Sequence, residues 1–496
     1  MKGIFENLLT ENIFKVEKKI ETIIRTDIEA SEIDKILELC PSLVLIKKEQ
    51  MEKKIKYTAR ISYFVVYLSN GEIKKVECAS EFSGTIENEK DYNLIDIELC
   101  LLKTSTDTYG GDLKILSNVS VTALFEEKKE LPFLTDMQNL IVKKDALVKP
   151  KKIGCVEKPW VVEEEFDLNF SVKEVLLYTV DCAIKSVKCG IGSIILDGEL
   201  FLSLSLLQKV ENSDILKERK NIPFRVELEC EDALPEMVAR GKVTATGVKI
   251  EALVDETTGK STIKADLNLN LFAEAFEIEE VSYIVDCFSK EKETEIKKEK
   301  IEIILPLELR ENFLKINTKC SLEEEIPLGA RIMSVAGEKI SIVSFEEEDG
   351  LTVNGVVSCT AFFKSQTVDA VKIEAPFTVN LEKSKKEKVY SINGAIESIF
   401  VKALSLKEIE VNLTANFSIF LEECVEKVAV TDLTFGEDKK EKQSAISVYI
   451  AKEGEELFDM AKRLNSSMED ITKINDELSF PLKGDERIII FRQERK

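Results

Sequence analysis

The run at residues 263–271 reads Ile-Lys-Ala-Asp-Leu-Asn-Leu-Asn-Leu and alternates strictly between apolar and polar side chains. A period of two sends successive side chains to opposite faces of a β-strand. The run therefore predicts a strand with one face on a core and the other in water. Two more runs have the same pattern, at 409–419 and at 119–125, where Leu124 interrupts the alternation. The sequence predicts three half-buried strands.

A second element recurs upstream of each alternating run and begins with a phenylalanine. It occupies 82–87, 224–229 and 377–382, and in the last two copies the Phe follows Pro223 or Pro376. A proline at that position suits a strand entry or a sheet edge. A third element lies further upstream, where Asp197-Gly198 or Asn354-Gly355 precedes an apolar run and the strand 60–67 takes that place in the first copy. The three elements recur in the same order at intervals of about 140 residues, which indicates duplication of one domain.

Turn signals lie between the strand-like runs. The dipeptides that favour tight turns are Asn70-Gly71, Gly110-Gly111, Asp197-Gly198, Asn354-Gly355 and Asn393-Gly394. Short strands that alternate with such turns are typical of antiparallel sheets. We therefore predict a mainly β protein in which each repeat is an antiparallel β-sandwich or barrel-like domain.

Charged stretches predict the borders between domains. They lie at Lys149–Pro159, Lys290–Lys300 and Phe435–Ser444, and runs of mixed charge commonly form solvated linkers. The expected division is 1–147, 148–288 and 289–434 for the three β repeats, 435–445 for a charged linker and 446–496 for a separate module. The first ~27 residues fit either a helix or the first strands of repeat one.

Composition excludes several functions. The 496 residues contain 69 Lys and Arg against 92 Asp and Glu, for a net charge of −23. This charge repels nucleic acid and anionic membranes, so we expect no nucleic-acid partner. The chain has no histidine, which removes the usual general base and the commonest metal ligand. We expect no enzymatic activity, no catalytic residue, no metal and no cofactor.

The sequence predicts neither an export signal nor a membrane span. No window approaches the ~18 apolar residues of a membrane span, and an acid interrupts the N-terminal stretch where a secretory apolar core would run. Direct membrane insertion is therefore not expected. The eleven cysteines form no Cys-x-x-Cys pair, which favours free thiols in a reducing compartment. The expected location is the cytoplasm.

The pattern changes at the C-terminal end. A short strand at 448–450 precedes apolar residues at helical spacing, namely Leu457, Met460, Ala461 and Leu464. Ser467 with Asp470 three residues later predicts the start of a second helix. Arg487–Phe491 is a closing strand. The sequence predicts a small β-α-α-β module.

This module resembles the LysM domain. The residues that carry the resemblance are Tyr449, Gly454-Glu455-Glu456-Leu457, Met460-Ala461, Asn475 and Gly484. The resemblance implies a binding groove between two loops. The residues it places in that groove, for a protein or a glycan partner, are Gly454, Glu455, Glu456, Leu457, Asn475, Asp476, Leu478, Ser479 and Phe480.

The ligand of the module stays open at this stage. Glu455-Glu456 replaces the Asp-Thr of the LysM family, which removes a compact hydroxyl donor and adds a carboxylate. Segment 446–496 carries nine Lys and Arg against eleven Asp and Glu, so it offers no basic surface to wall polymers. These features favour protein docking over glycan binding, and a mainly structural module is the third alternative.

Repeated all-β domains followed by a LysM-like module resemble the SipL-type family of clostridial spore-coat morphogenetic proteins. The resemblance implies a protein made in the mother cell that localises to the forespore surface. There its module would bind the polymerising coat ATPase rather than peptidoglycan. A binder of N-acetylglucosamine glycans and an adaptor in a phage-tail-like assembly are the alternatives.

Overall fold

A computed structural model describes residues 3–14, 20–29, 32–88, 92–109, 112–210, 214–347, 350–439 and 446–491. The described chain is mainly β, with antiparallel sheets and two short helices that both lie near its C-terminal end. The predicted fold class is confirmed. The two alternatives for the first 27 residues are also resolved, because the described part of this region forms strands.

Three consecutive units share one topology. In each unit a long final strand is the centre of one sheet, and three strands from the middle of the unit form a second sheet. The first unit comprises β1 (Gly3–Phe14), β2 (Ile20–Glu29), β3 (Lys35–Met51), β4 (Lys54–Ser69), β5 (Glu72–Glu87), β6 (Asn93–Tyr109) and β7 (Asp112–Met137). Its sheets are β3-β4-β5 and the four strands β1, β2 and β6 around β7.

The second and third units repeat this plan. The second comprises β8 (Ile141–Leu168), β9 (Val172–Gly190), β10 (Ser193–Gln208), β11 (Ile215–Glu229), β12 (Val238–Asp255) and β13 (Lys260–Phe288). The third comprises β14 (Lys292–Pro306), β15 (Arg310–Ser321), β16 (Arg331–Glu346), β17 (Leu351–Lys364), β18 (Val368–Leu381), β19 (Glu387–Ala403) and β20 (Glu408–Asp438). In the second unit the single strand β8 pairs along the whole of β13, whereas β14 and β15 share that role beside β20.

The three alternating runs form the inner part of β7, β13 and β20. In β13 the apolar set is fully buried and packs against the β9-β10-β11 sheet, while the intervening polar residues face outward. In β20 and β7 the apolar sets likewise pack against β16-β17-β18 and β3-β4-β5, but Asn416, Ser418 and Ser120 on the other faces are also buried. The prediction of a half-buried strand is confirmed for β13, whereas the second face of β7 and β20 is partly covered.

The glycine dipeptides behave in two ways. Asn70-Gly71 forms the turn between β4 and β5, with φ of 53° and 77°. However, Asp197-Gly198, Asn354-Gly355 and Asn393-Gly394 lie inside β10, β17 and β19, so the predicted turns there are wrong. Gly110-Gly111 lies outside the described residues.

A close contact explains two of these errors. Gly198 pairs with Phe224 of β11, and Gly355 pairs with Phe377 of β18. A Cβ at either glycine would lie within 2.4 Å of a ring carbon of its phenylalanine. Glycine inside a strand often marks such an approach. The glycine signal and the phenylalanine element therefore belong to one cross-strand pair.

The predicted borders need correction. The break between the first and second units lies at 138–140, so the predicted boundary at 147/148 and the stretch Lys149–Pro159 fall inside β8. Most of Lys290–Lys300 belongs to β14, and the linker predicted at 435–445 begins inside β20, whereas 440–445 lies outside the described residues. In each case charged residues lie on the exposed face of a paired strand, which has the same composition as a linker.

Each long strand continues past its sandwich as part of a two-stranded ribbon. The ribbons are β1 with the end of β7, the start of β8 with the end of β13, and β14 with the end of β20. We call these three ribbons together the stalk. Each has a register shift at an equivalent position, at Thr135, Val285 or Thr431, and the third ribbon has another between Lys292 and Thr294. An aspartate follows each of the three equivalent shifts and accepts a hydrogen bond from the next backbone N–H.

Equivalent residues of the three units meet at the centre of the molecule. In the stalk, buried clusters contain Phe133, Leu134, Tyr283, Ile284, Ala429 and Val430. A third central cluster combines Leu37 and Ile73 of the first unit, Leu176 and Ile215 of the second, and Phe362 of the third. Because every unit contributes matching positions, the three sandwiches surround a pseudo-threefold axis.

Candidate docking site in the C-terminal module

The module consists of β21 (Ile446–Ile450), α1 (Leu457–Leu464), α2 (Met468–Ile474) and β22 (Arg487–Phe491). Asn465, in the left-handed conformation at φ 52°, ends α1. The Ser467 hydroxyl accepts a hydrogen bond from the Asp470 backbone N–H at 3.1 Å and caps α2. The two strands pair antiparallel. The predicted order of strands and helices is found.

The module has its own hydrophobic core. The buried members contributed by its helices, strands and loops are Ala451, Phe458, Met460, Ala461, Ile471, Leu482, Ile488 and Ile490. Phe458 extends this core to the stalk, because its ring meets Phe288 edge-on with centroids 5.6 Å apart. The module is therefore a packed unit that joins the rest of the chain on one side.

The two predicted loops lie side by side. The Gly454 N–H donates to the Leu482 carbonyl at 2.8 Å, and the Leu482 N–H donates to the Glu455 carbonyl at 3.0 Å. Gly454 adopts φ +74°, a region that glycine enters without the steric cost of a side chain. These two hydrogen bonds join the first predicted loop to Leu482, the residue that directly follows the second predicted loop at 475–481.

Some of the predicted groove residues are occupied within the module itself. The Glu455 carboxylate pairs with the Arg463 guanidinium and accepts a hydrogen bond from the Lys452 N–H, and its side chain is only 9% exposed. The Asn475 amide donates to the carbonyls of Ile471 and Ile489 and accepts from the Ile489 N–H. These side chains hold the fold together and have little capacity left for a ligand.

The remaining groove residues differ in exposure. Leu457, Leu478 and Phe480 are half-buried against the module core. Glu456 is exposed and binds Lys143 of β8 across 2.5 Å. This leaves three exposed groove positions, namely Gly454, Asp476 and Ser479. The loop surface available to a partner is smaller than the sequence predicts.

Ion pairs fix the module against the stalk. Asp286, the aspartate that follows the register shift of the second ribbon, binds Lys462 of α1 at 2.6 Å and Lys298 of β14 at 3.1 Å. Burial by itself would raise the pKa of Asp286, but these two ammonium groups outweigh it and lower that pKa below its ordinary value. Asp286 therefore stays charged and links two units and the module.

A depression of about 380 Å³ lies at this junction. Its charged lining alternates between Lys143, Lys298 and Lys427 and the acids Asp145, Asp286 and Asp459. Lys427 binds Asp145 at 3.0 Å, so each lysine has a carboxylate partner. Within the described ranges no group of three or more acidic or cysteine side chains is arranged to hold a metal ion. The charges of the depression serve the junction.

Another surface of the module escaped the sequence prediction. In β21 the aliphatic residues Ile446, Val448 and Ile450 point outward and are 58–62% exposed, whereas Ser447 and Tyr449 are partly covered. The Tyr449 ring faces the core and lies 4.1 Å from the Arg463 guanidinium carbon. A period of two predicts the opposite orientation, with the aliphatic residues buried. The sequence shows the alternation of aliphatic residues at 446, 448 and 450, but it does not show which face of the strand is covered.

Comparisons of the chain with protein-family models, curated proteins and solved structures gave no match. The resemblances to the LysM domain and to spore-coat proteins therefore rest on the sequence alone. No helix in the described part of the chain is long and apolar enough to cross a membrane.

Proposed function

We propose that this protein is a non-enzymatic scaffold in spore coat or envelope assembly, and that its C-terminal module docks onto a protein partner. The proposed partner is the polymerising coat ATPase at the forespore surface, and the proposed location is the mother-cell cytoplasm. Three β units would form a rigid body that presents the module. The partner and the location come from the family resemblance.

One observation carries the proposal. The module has a core of its own and contacts the stalk on one side, through Phe458, Lys462 and Glu456, while its loops and its outer sheet face stay exposed. A unit held in this way presents a defined surface in a fixed orientation, as a docking module requires. Buried polar contacts between the second and third units, such as Arg219 with Glu338, hold the supporting body rigid.

The geometry favours a protein over a glycan as the partner. Neutral glycan chains are bound by hydrogen-bonding side chains that face an open groove. Here Glu455 and Asn475 are engaged inside the module and the exposed Glu456 pairs with Lys143, which leaves Asp476 and Ser479 as the other exposed polar groove residues. A binder of N-acetylglucosamine glycans is therefore the weaker candidate.

A phage-tail-like adaptor is a second candidate. The observation in its favour is the pseudo-threefold arrangement of the units around the stalk and the central clusters. Such an axis can coincide with that of a partner of threefold or sixfold symmetry. Gene neighbourhood would discriminate between coat and tail genes.

The test is a binding measurement on the full-length chain. Purified protein is titrated with the coat ATPase encoded in the same genome, and separately with chitin oligomers. The proposal expects saturable binding of the ATPase, lost in a variant that lacks 446–496 but keeps the circular-dichroism spectrum of a β protein. Micromolar binding of chitin oligomers without ATPase binding would reject the proposal in favour of the glycan reading.

A further inference from the structure

The outer face of the β21–β22 sheet is apolar and uncovered. Ile446, Val448 and Ile450 are 58%, 62% and 60% exposed, and Ile489, which pairs with Val448, is 40% exposed. Single exposed aliphatic residues are common on protein surfaces and need no explanation. Four of them together on one small sheet form a contiguous apolar patch, which is typical of an interaction surface.

A cation borders this patch. Arg487 pairs with Ile450 across the sheet, and cross-strand partners point to the same face. Arg487 is exposed and forms no ion pair with any described residue. The described positions of this face, 446, 448, 450, 487 and 489, include no acid. The described part of this surface is therefore an aliphatic strip with, at one end, a positive charge that no described acid pairs with.

These features exclude two occupants as the best fit. A second copy of the chain would bring another Arg487 and no carboxylate from this face, so two like charges would meet. An added strand would pair with the backbone at the sheet edge. It would leave the aliphatic face itself uncovered.

A helix satisfies both the shape and the charge. The patch from Ile446 to Ile450 is about 13 Å long at the rise of a strand, which equals about nine residues of α-helix. The opposite face of the sheet already packs on α1 and α2. A helix on the outer face would complete a three-layer arrangement and bury the strip.

We propose that this face docks an amphipathic helix of the partner protein, with aliphatic residues at i, i+3 or i+4 and i+7, and a carboxylate that meets Arg487. The inference rests on the proposed function, because it states which surface of the module holds the protein partner. In this proposal the partner binds mainly to the β21–β22 sheet and not to the loops at 454–457 and 475–481.

The first test compares full-length variants for binding to the purified coat ATPase. The double variant Val448→Thr/Ile450→Thr keeps β-branched side chains but makes the face polar, and we expect its Kd to rise at least roughly tenfold. Arg487→Gln should weaken binding severalfold and reduce its salt dependence. Val343→Thr, at a 69% exposed valine of β16, is the matched control and should bind like wild type. So should the loop variant Asp476→Ala/Ser479→Ala.

The second test identifies the occupant directly. A photo-crosslinking amino acid is placed at position 448 of the full-length chain in sporulating cells, with positions 479 and 343 for comparison. We expect position 448 to crosslink to a helical segment with the stated aliphatic spacing and an acidic end. The crosslinked peptide is identified by mass spectrometry.

The outcomes separate the inference from the proposed function. If the loop variant loses ATPase binding and the sheet variant keeps it, the inference is overturned and the proposed function stands. A crosslink from 448 to a second copy or to a strand overturns the helix as occupant. If wild type does not bind the ATPase but 448 crosslinks to such a helix elsewhere, the inference holds and the ATPase is the wrong partner. No ATPase binding and no crosslink from 448 reject both.

Discussion

The ring of Phe224 lies over the backbone of Gly198 on the neighbouring strand, so closely that a Cβ at Gly198 would be 2.3 Å from the ring carbon Cζ. Phe377 covers Gly355 in the third unit in the same way. In the first unit, Ala59 pairs with Phe82 at the matching position. The pair is thus a structural signature of the repeat, and two of its three copies require glycine.

This contact predicts a specific loss of stability. Gly198→Ala and Gly355→Ala each force a methyl group into the phenylalanine ring, and overpacking of this kind costs about 1–3 kcal/mol. Gly350→Ala is the control, because its Cβ would have no neighbour closer than 3.5 Å. It should change the free energy of unfolding by less than about 0.5 kcal/mol. Thermal melts measure the stability of these variants. Equal effects at 198 and 350 would contradict the role of the glycine–phenylalanine contact.

Substitution of Glu338, at the interface of the second and third units, should cause a larger loss of stability. Its side chain is 1% exposed and binds Lys217 at 2.9 Å and the Arg219 guanidinium. Glu338→Gln leaves two mostly buried cations without a carboxylate, which typically costs about 3–5 kcal/mol. The exposed pair of Glu49 with Lys47 is the control, and Glu49→Gln should leave the free energy of unfolding close to that of wild type, because solvent screens exposed ion pairs. Urea unfolding gives both values.

The stability that the Glu338 carboxylate contributes depends on pH, and the direction of this dependence can be predicted. Burial would raise the pKa of Glu338, but Lys217 and Arg219 outweigh it and hold that pKa below the ordinary value of 4.5. A depressed folded-state pKa stabilises the fold above the unfolded-state pKa, and this contribution disappears as the pH falls through the folded-state value. Wild type should therefore lose its advantage over Glu338→Gln below pH 4.5. A constant difference down to pH 2 would contradict this.

The carboxyl group of Asp181 predicts a pH dependence of stability with the opposite sign. Burial raises the pKa of Asp181 to about 6, although the carboxylate accepts a hydrogen bond from the Ile396 N–H at 3.0 Å. A raised pKa contributes stability below the unfolded-state value, and that stability is lost as the pH rises through about 6. Asp181→Asn keeps an acceptor oxygen for Ile396 and carries no charge. We expect it to be more stable than wild type at pH 8, by up to about 3 kcal/mol, and equal to it near pH 4.

The measurement for Asp181 is the melting temperature of both proteins from pH 4 to 8. Asp107→Asn, at an exposed position of β6, is the control and should follow wild type at every pH. Parallel curves for wild type and Asp181→Asn would show that the buried carboxylate does not titrate in this range.

The contact between module and stalk predicts a local effect. Phe288→Ala removes the ring that meets Phe458 and leaves a cavity at the junction, and such truncations typically cost about 3–5 kcal/mol. Hydrogen exchange should increase in α1, residues 457–464, which packs on this ring, and stay unchanged in β17. Phe288→Leu refills most of the volume and should restore protection. Unchanged exchange in α1 for the alanine variant would contradict a stabilising contact between Phe288 and Phe458.

Much of this fold could be predicted from local patterns. The alternation at 263–271 and 409–419 specified buried strands, and Ser467 with Asp470 specified a helix start, because strand faces and helix caps depend on neighbouring residues. The turns predicted at Gly198 and Gly355 were wrong, because a glycine that makes room for an aromatic ring and a glycine that allows a turn look the same in sequence. Only the pairing of strands distinguishes the two.

Features that depend on packing between distant segments were not predictable. The aspartates Asp136, Asp286 and Asp432 follow the three register shifts at intervals like those of the other repeats, and that recurrence was an available signal. Nothing local, however, indicates that the three ribbons meet at one axis. The use of Glu455 and Asn475 inside the module likewise depends on Arg463 and on the backbone of Ile489, which lie elsewhere in the chain.

The single-chain arrangement around the pseudo-threefold axis has a consequence for valency. A homotrimer of one unit and one module would offer three identical binding heads, and multiple simultaneous contacts would raise its avidity. Because the three units are fused in one chain, they share a single C-terminal module. Each unit can also diverge separately, as glycine in two copies and alanine in the third illustrate. Under the proposed function each chain would occupy one site on the polymeric partner, so coverage would be set by the number of molecules made.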